Sequence, residues 1–545
     1  MESSLQNRKS LGIADGLLLG SLSSLPNELI ILILTNLMGR DLLRCTQVCK
    51  SIHSIVNHAP ELLYLVELWA EGFVDGPPSN ISSHERMDLL VRRAAAWRSL
   101  SWKTRTTIVM PWAYTFRVAN GIFLSRVQQQ PDQLPAAGVP DHPLYQVSLA
   151  TASSGFPQSG QDDFTSKYFV FDVPQDLLVL GFNPNGADAN SRLRLQLRTL
   201  SSLGSSPHPA ASQDMLPVSH DAYFDAFASH IQVAGPLLGI GVTRSSRFHT
   251  VLVWNWKTGA QLVDTDSVDR APIDEFCFLT PHRMMLVSPT PSTLSLEIWS
   301  VDPDSFVVND VRTLLRLALP DLGYRNFFNF CISHGPFHTD IPWDVPFAKR
   351  SGGRVYVISL RHKPPRPRSP RLLFVIRHDT IIAFLQRHIA NDNAIAIPWE
   401  EWGPQNTRMF YRNRNIREHW NTMYNGWIYH ERMLGCFMTS YDEDHIIDYE
   451  QILDFNVRPY MRQSSVAARV EGKGQLVTAP TTACVRVDDT GRTVTITTSL
   501  PFYSTPVDVP GTDQHIGFTL DEHHLLGVKA LDFDPPSGLD IFSFE

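Results

Sequence analysis

Long apolar runs and paired cysteines are what this 545-residue sequence lacks. Its longest uninterrupted apolar run extends from Leu29 to Leu34, whereas a membrane-spanning helix needs roughly 18 consecutive apolar residues. Its six cysteines show no C-x-x-C spacing, which argues against a zinc site and against a disulfide framework. We therefore expect no membrane association and a reducing compartment, the cytoplasm, the nucleus or both.

Positive charge is also in short supply. The sequence has 47 Lys and Arg residues against 55 Asp and Glu residues, which gives a formal net charge of -8. A nucleic-acid-binding surface needs clustered Lys and Arg side chains to neutralise phosphates. We therefore expect no nucleic-acid partner.

Catalytic and ligand-binding motifs are missing as well. The sequence contains no G-x-S-x-G elbow, no Walker phosphate loop and no H-E-x-x-H. Gly239 to Arg244 begins like a dinucleotide fingerprint, but Arg244 stands where the third Gly is needed. His523-His524 and the run Asp442 to His445 hold metal-ligand side chains without a second cluster at ligand spacing, so we interpret both as exposed turns. We predict no catalytic residue, no cofactor and no metal.

The sequence does contain enough apolar residues for several cores, since 43% of it is hydrophobic. Its patterning changes along the chain, and four parts follow from it. We predict a flexible arm over residues 1–20, a compact helical module over 21–60, a helical spacer over 61–105 and a β-rich domain over 106–545. The predicted fold class is therefore α+β and multidomain.

The helical module is the most distinctive stretch. Leu25-Pro26-Asn27-Glu28 opens a helix, Gly39 is expected to end it, and Asp41 is expected to cap the next. The first helix has apolar residues on two sides, which are Leu29, Ile30, Ile33, Leu34 and Leu37 on one stripe and Ile31 and Leu32 beyond it. The second is expected to bury Leu42, Cys45, Val48 and Cys49. So short a unit cannot cover two apolar faces by itself, so the rest of the chain or a partner covers the second.

The order Leu-Pro-x-Glu, an Ile-Leu helix, Asp-Leu and Val-Cys-Lys between Leu22 and Val56 resembles the F-box of Skp-cullin-F-box ubiquitin ligases. An ordinary helical bundle is the alternative. The resemblance implies that the module docks an adaptor of the Skp family and, through it, a cullin. The residues implied in adaptor binding or in the core and rim of the module are Leu25, Pro26, Ile30, Ile33, Leu34, Leu37, Leu42, Val48 and Cys49.

The spacer is predicted to contain two helices separated by Gly76-Pro77-Pro78, with Ser83 as a possible cap of the second. Beyond about Lys103, short runs rich in β-branched and aromatic residues alternate with turn residues, which predicts strands. Nine representative runs are Lys167 to Val173, Leu177 to Phe182, Arg192 to Leu200, Leu237 to Thr243, Thr250 to Trp256, Met284 to Ser288, Leu294 to Val301, Arg354 to Leu360 and Leu539 to Phe544. Ser201 to Pro217 and the basic, proline-rich Arg361 to Arg371 are expected to be surface loops.

A weak repeat indicates how these strands are arranged. Three apolar strands, which start at Leu238, Met284 and Leu525, are followed 15 to 17 residues later by an aromatic residue, which is Trp254, Trp299 and Phe542 in turn. Trp254 and Trp299 are 45 residues apart, close to the period of WD-type propeller blades. Val251 to Trp256 is apolar on both faces and resembles a WD-repeat strand, although Asn255 replaces the usual Asp. We predict a degenerate β-propeller of six to eight blades, with a β-sandwich pair as the alternative.

Together these features favour a non-catalytic substrate receptor of a ubiquitin ligase, whose β domain binds an unidentified protein. The layout also resembles the expanded F-box families of mushroom-forming fungi. A scaffold that does not promote degradation and an intracellular hydrolase are the alternatives. Trp399 and Trp402 are attractive as surface anchors, but core positions are the more usual place for Trp.

Overall fold

The computed structural model describes most of the chain between Leu25 and Phe544. The described ranges are 25–110, 113–127, 144–151, 153–155, 168–182, 193–218, 231–245, 248–267, 273, 275–289, 293–323, 327–337, 345–362, 371–388, 395–412, 427–438, 450–462, 473–486, 492–511, 514–529 and 538–544. The predicted N-terminal arm, most of the Arg361 to Arg371 loop and the run Asp442 to His445 lie outside these ranges.

Five helices and two short strands precede the β-rich domain. They are α1 (Asn27–Leu34), α2 (Gly39–Cys45), α3 (Lys50–His58), α4 (Pro60–Glu71), β1 (Phe73–Asp75), α5 (Ser83–Ser99) and β2 (Thr104–Val109). The predicted roles of Gly39 and Ser83 were wrong. Gly39 begins α2, and Ser82 caps α5 in a capping box with Glu85.

The first four helices share one small core. Its buried side chains are Ile30, Leu34, Leu42, Val56, Ala59, Leu62 and Val66. Gly39 allows α2 to approach α4, since a Cβ atom there would lie 2.5 Å from Trp69 Cβ and 2.6 Å from the Leu65 carbonyl oxygen. This close approach, and not a helix end, is the reason for a glycine at position 39.

Seven antiparallel sheets follow one another around a ring. Blade 1 contains β3 (Ala113–Ala119), β4 (Ile122–Val127), β5 (Leu144–Ser148) and β6 (Ser153–Gly155), and blade 2 contains β7 (Tyr168–Asp172), β8 (Leu177–Phe182), β9 (Arg194–Thr199) and β10 (Met215–Pro217). Blade 3 contains β11 (Ile231–Ala234), β12 (Leu237–Ser245), β13 (Phe248–Asn255) and β14 (Gln261–Asp264), and blade 4 contains β15 (Glu275–Thr280), β16 (Arg283–Pro289), β17 (Leu294–Val301) and β18 (Val311–Ala318).

Blades 5 and 6 carry long insertions. Blade 5 contains β19 (Phe327–His334), β21 (Val355–His362), β22 (Arg371–Arg377), β24 (Thr407–Arg412) and β27 (Phe437–Met438), and blade 6 contains β25 (Ile428–Tyr429), β26 (Arg432–Gly435), β28 (Gln451–Asp454), β32 (Phe502–Pro506) and β29 (Gln475–Val477). The insertions hold β20 (Phe347–Lys349), α6 (His378–His388), β23 (Ile395–Ile397), α7 (Trp399–Asn406), α8 (Arg458–Met461) and the hairpin of β30 (Thr481–Arg486) and β31 (Thr493–Thr498). Strand β23 adds a fifth, parallel strand to blade 4.

Blade 7 closes the ring with both ends of the domain. Its first three strands are β33 (His515–Leu520), β34 (His524–Lys529) and β35 (Gly538–Ser543), and β2 supplies the fourth. The first strands of blades 1 to 7 contact one another in succession, so they surround the propeller axis. The predicted all-β propeller is confirmed, and its seven blades fall within the predicted six to eight.

The predicted repeat corresponds to one position in three blades. Leu238 pairs with Trp254, Met284 with Trp299 and Leu525 with Phe542, each between the second and third strands of a blade. Along β13, Leu252 and Trp254 face the core shared with blade 2, while Val251 and Val253 face the core shared with blade 4. Both faces of this strand are therefore buried, as its unbroken apolar sequence predicts.

The nine predicted strand runs are all observed, two with their predicted bounds and seven shifted by one or two residues at their ends. Two other predictions need correction, and one alternative is decided. Ser201 to Pro217 is not only a surface loop, because Met215–Pro217 is the fourth strand of blade 2. His524 is not an exposed turn residue, because its side chain is buried beside Asp521. Trp399 and Trp402 are both buried, which agrees with the core positions that are usual for Trp and rules out the alternative of surface anchors.

One end of the propeller carries the helical spacer. Connections between first and second strands and between third and fourth strands lie at the same end of every blade, because the strands alternate in direction. Helices α4 and α5 pack against this end of blades 5, 6 and 7. We call this end the spacer face.

Candidate docking surface and its attachment to the propeller

The helical module leaves a set of large apolar side chains exposed. Their solvent-exposed fractions range from 37% to 73%, and they are Leu25, Leu29, Leu32, Ile33, Met38 and Val48. Leu25, Leu29, Leu32 and Ile33 recur at intervals of three or four residues, which places them on one side of α1 and of the residues just before it. We call these six residues the docking surface.

The structure divides the nine predicted site residues into three groups. The exposed group holds Leu25, Pro26, Ile33, Val48 and Cys49. The buried group holds Ile30, Leu34 and Leu42, with exposed fractions of 3% or less, and Leu37 packs half-buried against them. Ile30 and Leu34 therefore do not present their side chains to a partner, because they face α3 and α4. The adaptor-binding role of the exposed group stays a prediction.

The sequence predicts that Val48 and Cys49 belong to a buried stripe of the second helix. This prediction was wrong. Helix α2 ends at Cys45, so the helical period does not continue to these residues. Cys49 instead precedes α3, where its Sγ accepts a hydrogen bond of 3.5 Å from the Ile52 amide. Three members of the docking surface, Leu29, Leu32 and Met38, were missing from the predicted site, although the spacing of Leu29, Leu32 and Ile33 was the signal for it.

The spacer is joined to the propeller by a pair of strands. Residues 73–75 of β1 pair antiparallel with residues 347–349 of β20, which lies between the first and second strands of blade 5. The Phe73 and Phe347 rings meet edge to face with centroids 5.2 Å apart. Further along, Trp97 of α5 stacks on Phe544 with centroids 4.1 Å apart. The spacer and the propeller therefore share backbone pairing and core packing.

Propeller groups also cap the C-terminal end of α4. The last carbonyls of a helix have no partner within the helix. Here Arg458 Nη1 donates to the Trp69 carbonyl at 3.3 Å, Asn456 Nδ2 to that of Ala70 at 2.8 Å and Lys349 Nζ to that of Glu71 at 3.0 Å. Two of the three donors are cations, which suit the negative end of the helix dipole. The direction of α4 is thereby fixed relative to blades 5 and 6.

Ion pairs join the two spacer helices to their surroundings. Two of them lie within the spacer, and one reaches the propeller. Arg98 donates a short hydrogen bond to Glu71, and both side chains are buried. Arg93 reaches Glu522 of blade 7 at 3.0 Å, and Arg86 reaches Asp75 at 2.5 Å. Burial by itself would lower the pKa of Arg98, but the Glu71 carboxylate raises it above its ordinary value. Arg98 is therefore charged at neutral pH, and losing Glu71 would leave this buried charge without its partner.

The part of the chain that the structure describes contains no helix with the length and apolar composition needed to cross a membrane. Within the same ranges, no three His, Cys, Asp or Glu side chains converge on a point where a metal ion could bind.

Comparison with known proteins identifies one segment. Residues 22–64 match the F-box-like family model, a segment that ends within α4. No curated protein matches the chain. The resemblance to the families of mushroom-forming fungi stays a prediction.

Solved structures similar to the chain include several propellers, all at low identity. The WD40 domain of Toxoplasma gondii coronin is 10% identical, covers 82% of this chain and 87% of its own, and gives a TM-score of 0.32. The fission yeast SCAP WD40 domain is 9% identical. The match covers 81% of this chain and 98% of that domain, with a TM-score of 0.31. Oligopeptidase B from Leishmania major is 8% identical. The match covers 81% of this chain and 58% of that protein, with a TM-score of 0.28. These scores are too low to support an inference, so the propeller is assigned from the seven sheets themselves. The chain thus carries an F-box-like module at residues 22–64, followed by a seven-bladed β-propeller.

Proposed function

We propose that this protein is the substrate-recognition subunit of a Skp-cullin-F-box ubiquitin ligase. In this role the F-box-like module binds a Skp-family adaptor, the adaptor binds a cullin, and the propeller binds the protein to be ubiquitinated. The observation that carries the proposal is the docking surface, because it lies on the segment that matches the F-box-like model. Exposed apolar residues in a cluster are typical of a protein-protein interface.

The attachment of the spacer supports a role in positioning. A receptor without catalytic groups accelerates ubiquitin transfer by holding the target lysine near the charged conjugating enzyme. Such holding requires that the adaptor-binding module and the propeller keep a fixed relative orientation. The β1–β20 pairing, the capped end of α4 and the Arg93–Glu522 pair all join the spacer to the propeller and support that rigidity.

The test compares the intact protein with a variant that carries Leu32→Asp and Ile33→Asp. Each form is fused to a proximity-labelling enzyme and expressed in cells. We expect the intact protein to label the adaptor, a cullin and a set of other proteins, and the variant to label only the last set. Proteins labelled by both forms are candidate targets, and their half-lives should lengthen when the variant replaces the intact protein.

The alternative is a scaffold that binds the adaptor and does not promote degradation. It predicts the same labelling pattern but unchanged half-lives of the labelled proteins. We place the site of action in the cytoplasm or the nucleus, and fluorescence microscopy of the tagged protein tests that placement.

A further inference from the structure

A pocket of about 100 Å³ opens beside the propeller axis. Strands β3, β7, β11 and β19 line it, which are the first strands of blades 1, 2, 3 and 5. Asn120 and Pro174 from the turns after β3 and β7 also line it, so the pocket lies towards the spacer face. Most of its wall is apolar, with Val118, Val170 and Ile231 among the lining residues.

The pocket contains a half-buried arginine, Arg117, that has no acidic partner among the described residues. Arg117 Nε donates to the Phe169 carbonyl at 2.8 Å, and no described carboxylate forms an ion pair with its guanidinium. Burial lowers the pKa of Arg117 to about 10, which still leaves it charged at neutral pH. A partly buried charge without a nearby counter-charge costs some stability. A charged side chain that lowers stability beside a cavity is better explained by a role in ligand binding than by a role in folding.

A second guanidinium lies behind the wall of the pocket. Arg354 is 2% exposed, and its Cζ lies 4.3 Å from the centroid of the Phe337 ring, which lines the pocket. Its Nη2 donates to the Leu279 carbonyl at 2.7 Å, while Nε and Nη1 have no hydrogen-bond partner in the part of the chain that the structure describes. The charge of Arg354 therefore adds to that of Arg117.

Two other titratable groups line the pocket: His334 adds no charge, and Asp172 is the one carboxylate among the lining residues. His334 is neutral, because burial and the charges of Arg354 and Arg117 lower its pKa to about 4 against the effect of its hydrogen bond to the Gly335 carbonyl. Asp172 accepts hydrogen bonds from the backbone and side-chain nitrogen atoms of Gln175, at 3.3 and 3.1 Å, and so stabilises the β7–β8 turn.

We propose that this pocket binds a carboxylate on an apolar stem, as presented by a glutamate side chain or a C-terminal residue of the bound protein. The guanidinium fork of Arg117 would pair with the carboxylate, and the apolar wall would contact the stem. A phosphate group fits less well, because a dianion calls for several cations, whereas one guanidinium lines the wall together with Asp172. The proposal rests on the proposed function of the propeller as the recognition domain.

Hexanoate is a probe with this chemistry, and saturation-transfer NMR measures its binding to the purified full chain. Hexanol and hexylamine share its stem without the negative charge, and hexyl phosphate replaces the carboxylate. Arg117→Met is the test variant. Arg194→Met is the matched control, because the Arg194 side chain is exposed, does not line the pocket, and donates from Nη1 to Met215 Sδ at 3.6 Å.

We expect hexanoate to bind the unmodified chain and the Arg194→Met variant with equal affinity, and Arg117→Met at least tenfold more weakly. The unfolding temperature of Arg117→Met should equal or exceed that of the unmodified chain, because the variant removes a half-buried charge that has no counter-charge among the described residues. Equal hexanoate binding by Arg117→Met would overturn the proposal, and so would tighter binding of hexylamine or hexyl phosphate than of hexanoate. Adaptor binding should be the same in both variants, so a failure here is distinct from a failure of the proposed function.

Discussion

Asn456, in the loop after β28, donates a hydrogen bond of 2.8 Å to the carbonyl of Ala70 at the end of α4. A propeller side chain thus completes a helix that belongs to the spacer, and both groups are buried. The end of α4 and the spacer face of blade 6 are therefore expected to fold and unfold as one unit.

Replacing Asn456 with Ala tests this expectation. The Ala70 carbonyl would lose its partner in a buried site, which costs about 1–3 kcal/mol. Hydrogen-deuterium exchange should show faster exchange in α4 and in α5 together, with little change in blades 1 to 3. Faster exchange confined to the loop that carries Asn456 would contradict the coupling.

Replacing Gly39 with Ala should loosen the helical module. The new methyl group would overlap Trp69 Cβ and the Leu65 carbonyl, so α2 and α4 must separate at a cost of about 1–3 kcal/mol. Denaturant titration measures the loss. Gly352→Ala is the control, since its nearest neighbour would be Asp379 Oδ1 at 3.5 Å, an ordinary contact, and its effect should stay within about 0.5 kcal/mol.

Asp540→Asn should weaken the closure of the ring. The fully buried Asp540 carboxylate accepts hydrogen bonds from Arg105 at 2.8 Å and Thr107 at 2.6 Å, both on β2. It also accepts from Lys529 and His515 within blade 7. Removing its charge should cost about 1–3 kcal/mol of unfolding free energy, because the fully buried site loses its charge-assisted hydrogen bonds, while the Arg105 and Lys529 side chains keep partial access to solvent.

The matched control for Asp540→Asn is Asp508→Asn. The Asp508 side chain is 83% exposed and lies 3.8 Å from Lys473, so its loss should have almost no effect on the unfolding free energy. Equal destabilisation by the two substitutions would show that Asp540 does not hold the ring closed.

The unfolding free energy should fall in mild acid because of His378. Burial, together with the charges of Arg354, Arg350 and Arg283, lowers the pKa of its imidazole to about 3. The unfolded chain takes up a proton there below about pH 6.5, whereas the folded chain does not. The contribution of His378 to the unfolding free energy is therefore fully present above pH 6.5. It decreases by up to about 1.4 kcal/mol per pH unit as the pH falls towards 3.

Denaturant titrations of the unmodified chain and of His378→Phe between pH 7 and pH 5 measure this effect. The unfolding free energy of the variant should depend less steeply on pH. The difference in slope should correspond to the uptake of close to one proton on unfolding in this range. Parallel curves would mean that His378 is not kept neutral in the folded chain.

Much of the β domain could be predicted because its strands are buried on both faces. Val251 to Trp256 is apolar except for Asn255, and an aromatic residue returns opposite Leu238, Met284 and Leu525 in three blades. These local signals identify strands and a propeller. The β1–β20 pair was not predicted, because each of its strands has three residues and the two strands are far apart in the sequence.

The docking surface was predicted only in part. The sequence shows that α1 is apolar on two sides, but it does not show which side the module covers. The structure assigns Ile30 and Leu34 to the core and Leu29, Leu32 and Ile33 to the surface. The exposure of Val48 depends on the end of α2 at Cys45, and no glycine or proline marks that end.

The most direct test of the account is the affinity of the purified chain for a purified Skp-family adaptor, measured by calorimetry. Leu32 and Ile33 are 64% and 45% exposed, so Leu32→Asp with Ile33→Asp should leave the fold intact and weaken binding at least a hundredfold. Phe306→Asp, which changes an 88% exposed residue of blade 4, should leave the affinity unchanged. Equal affinity of the double variant and the unmodified chain would contradict the account.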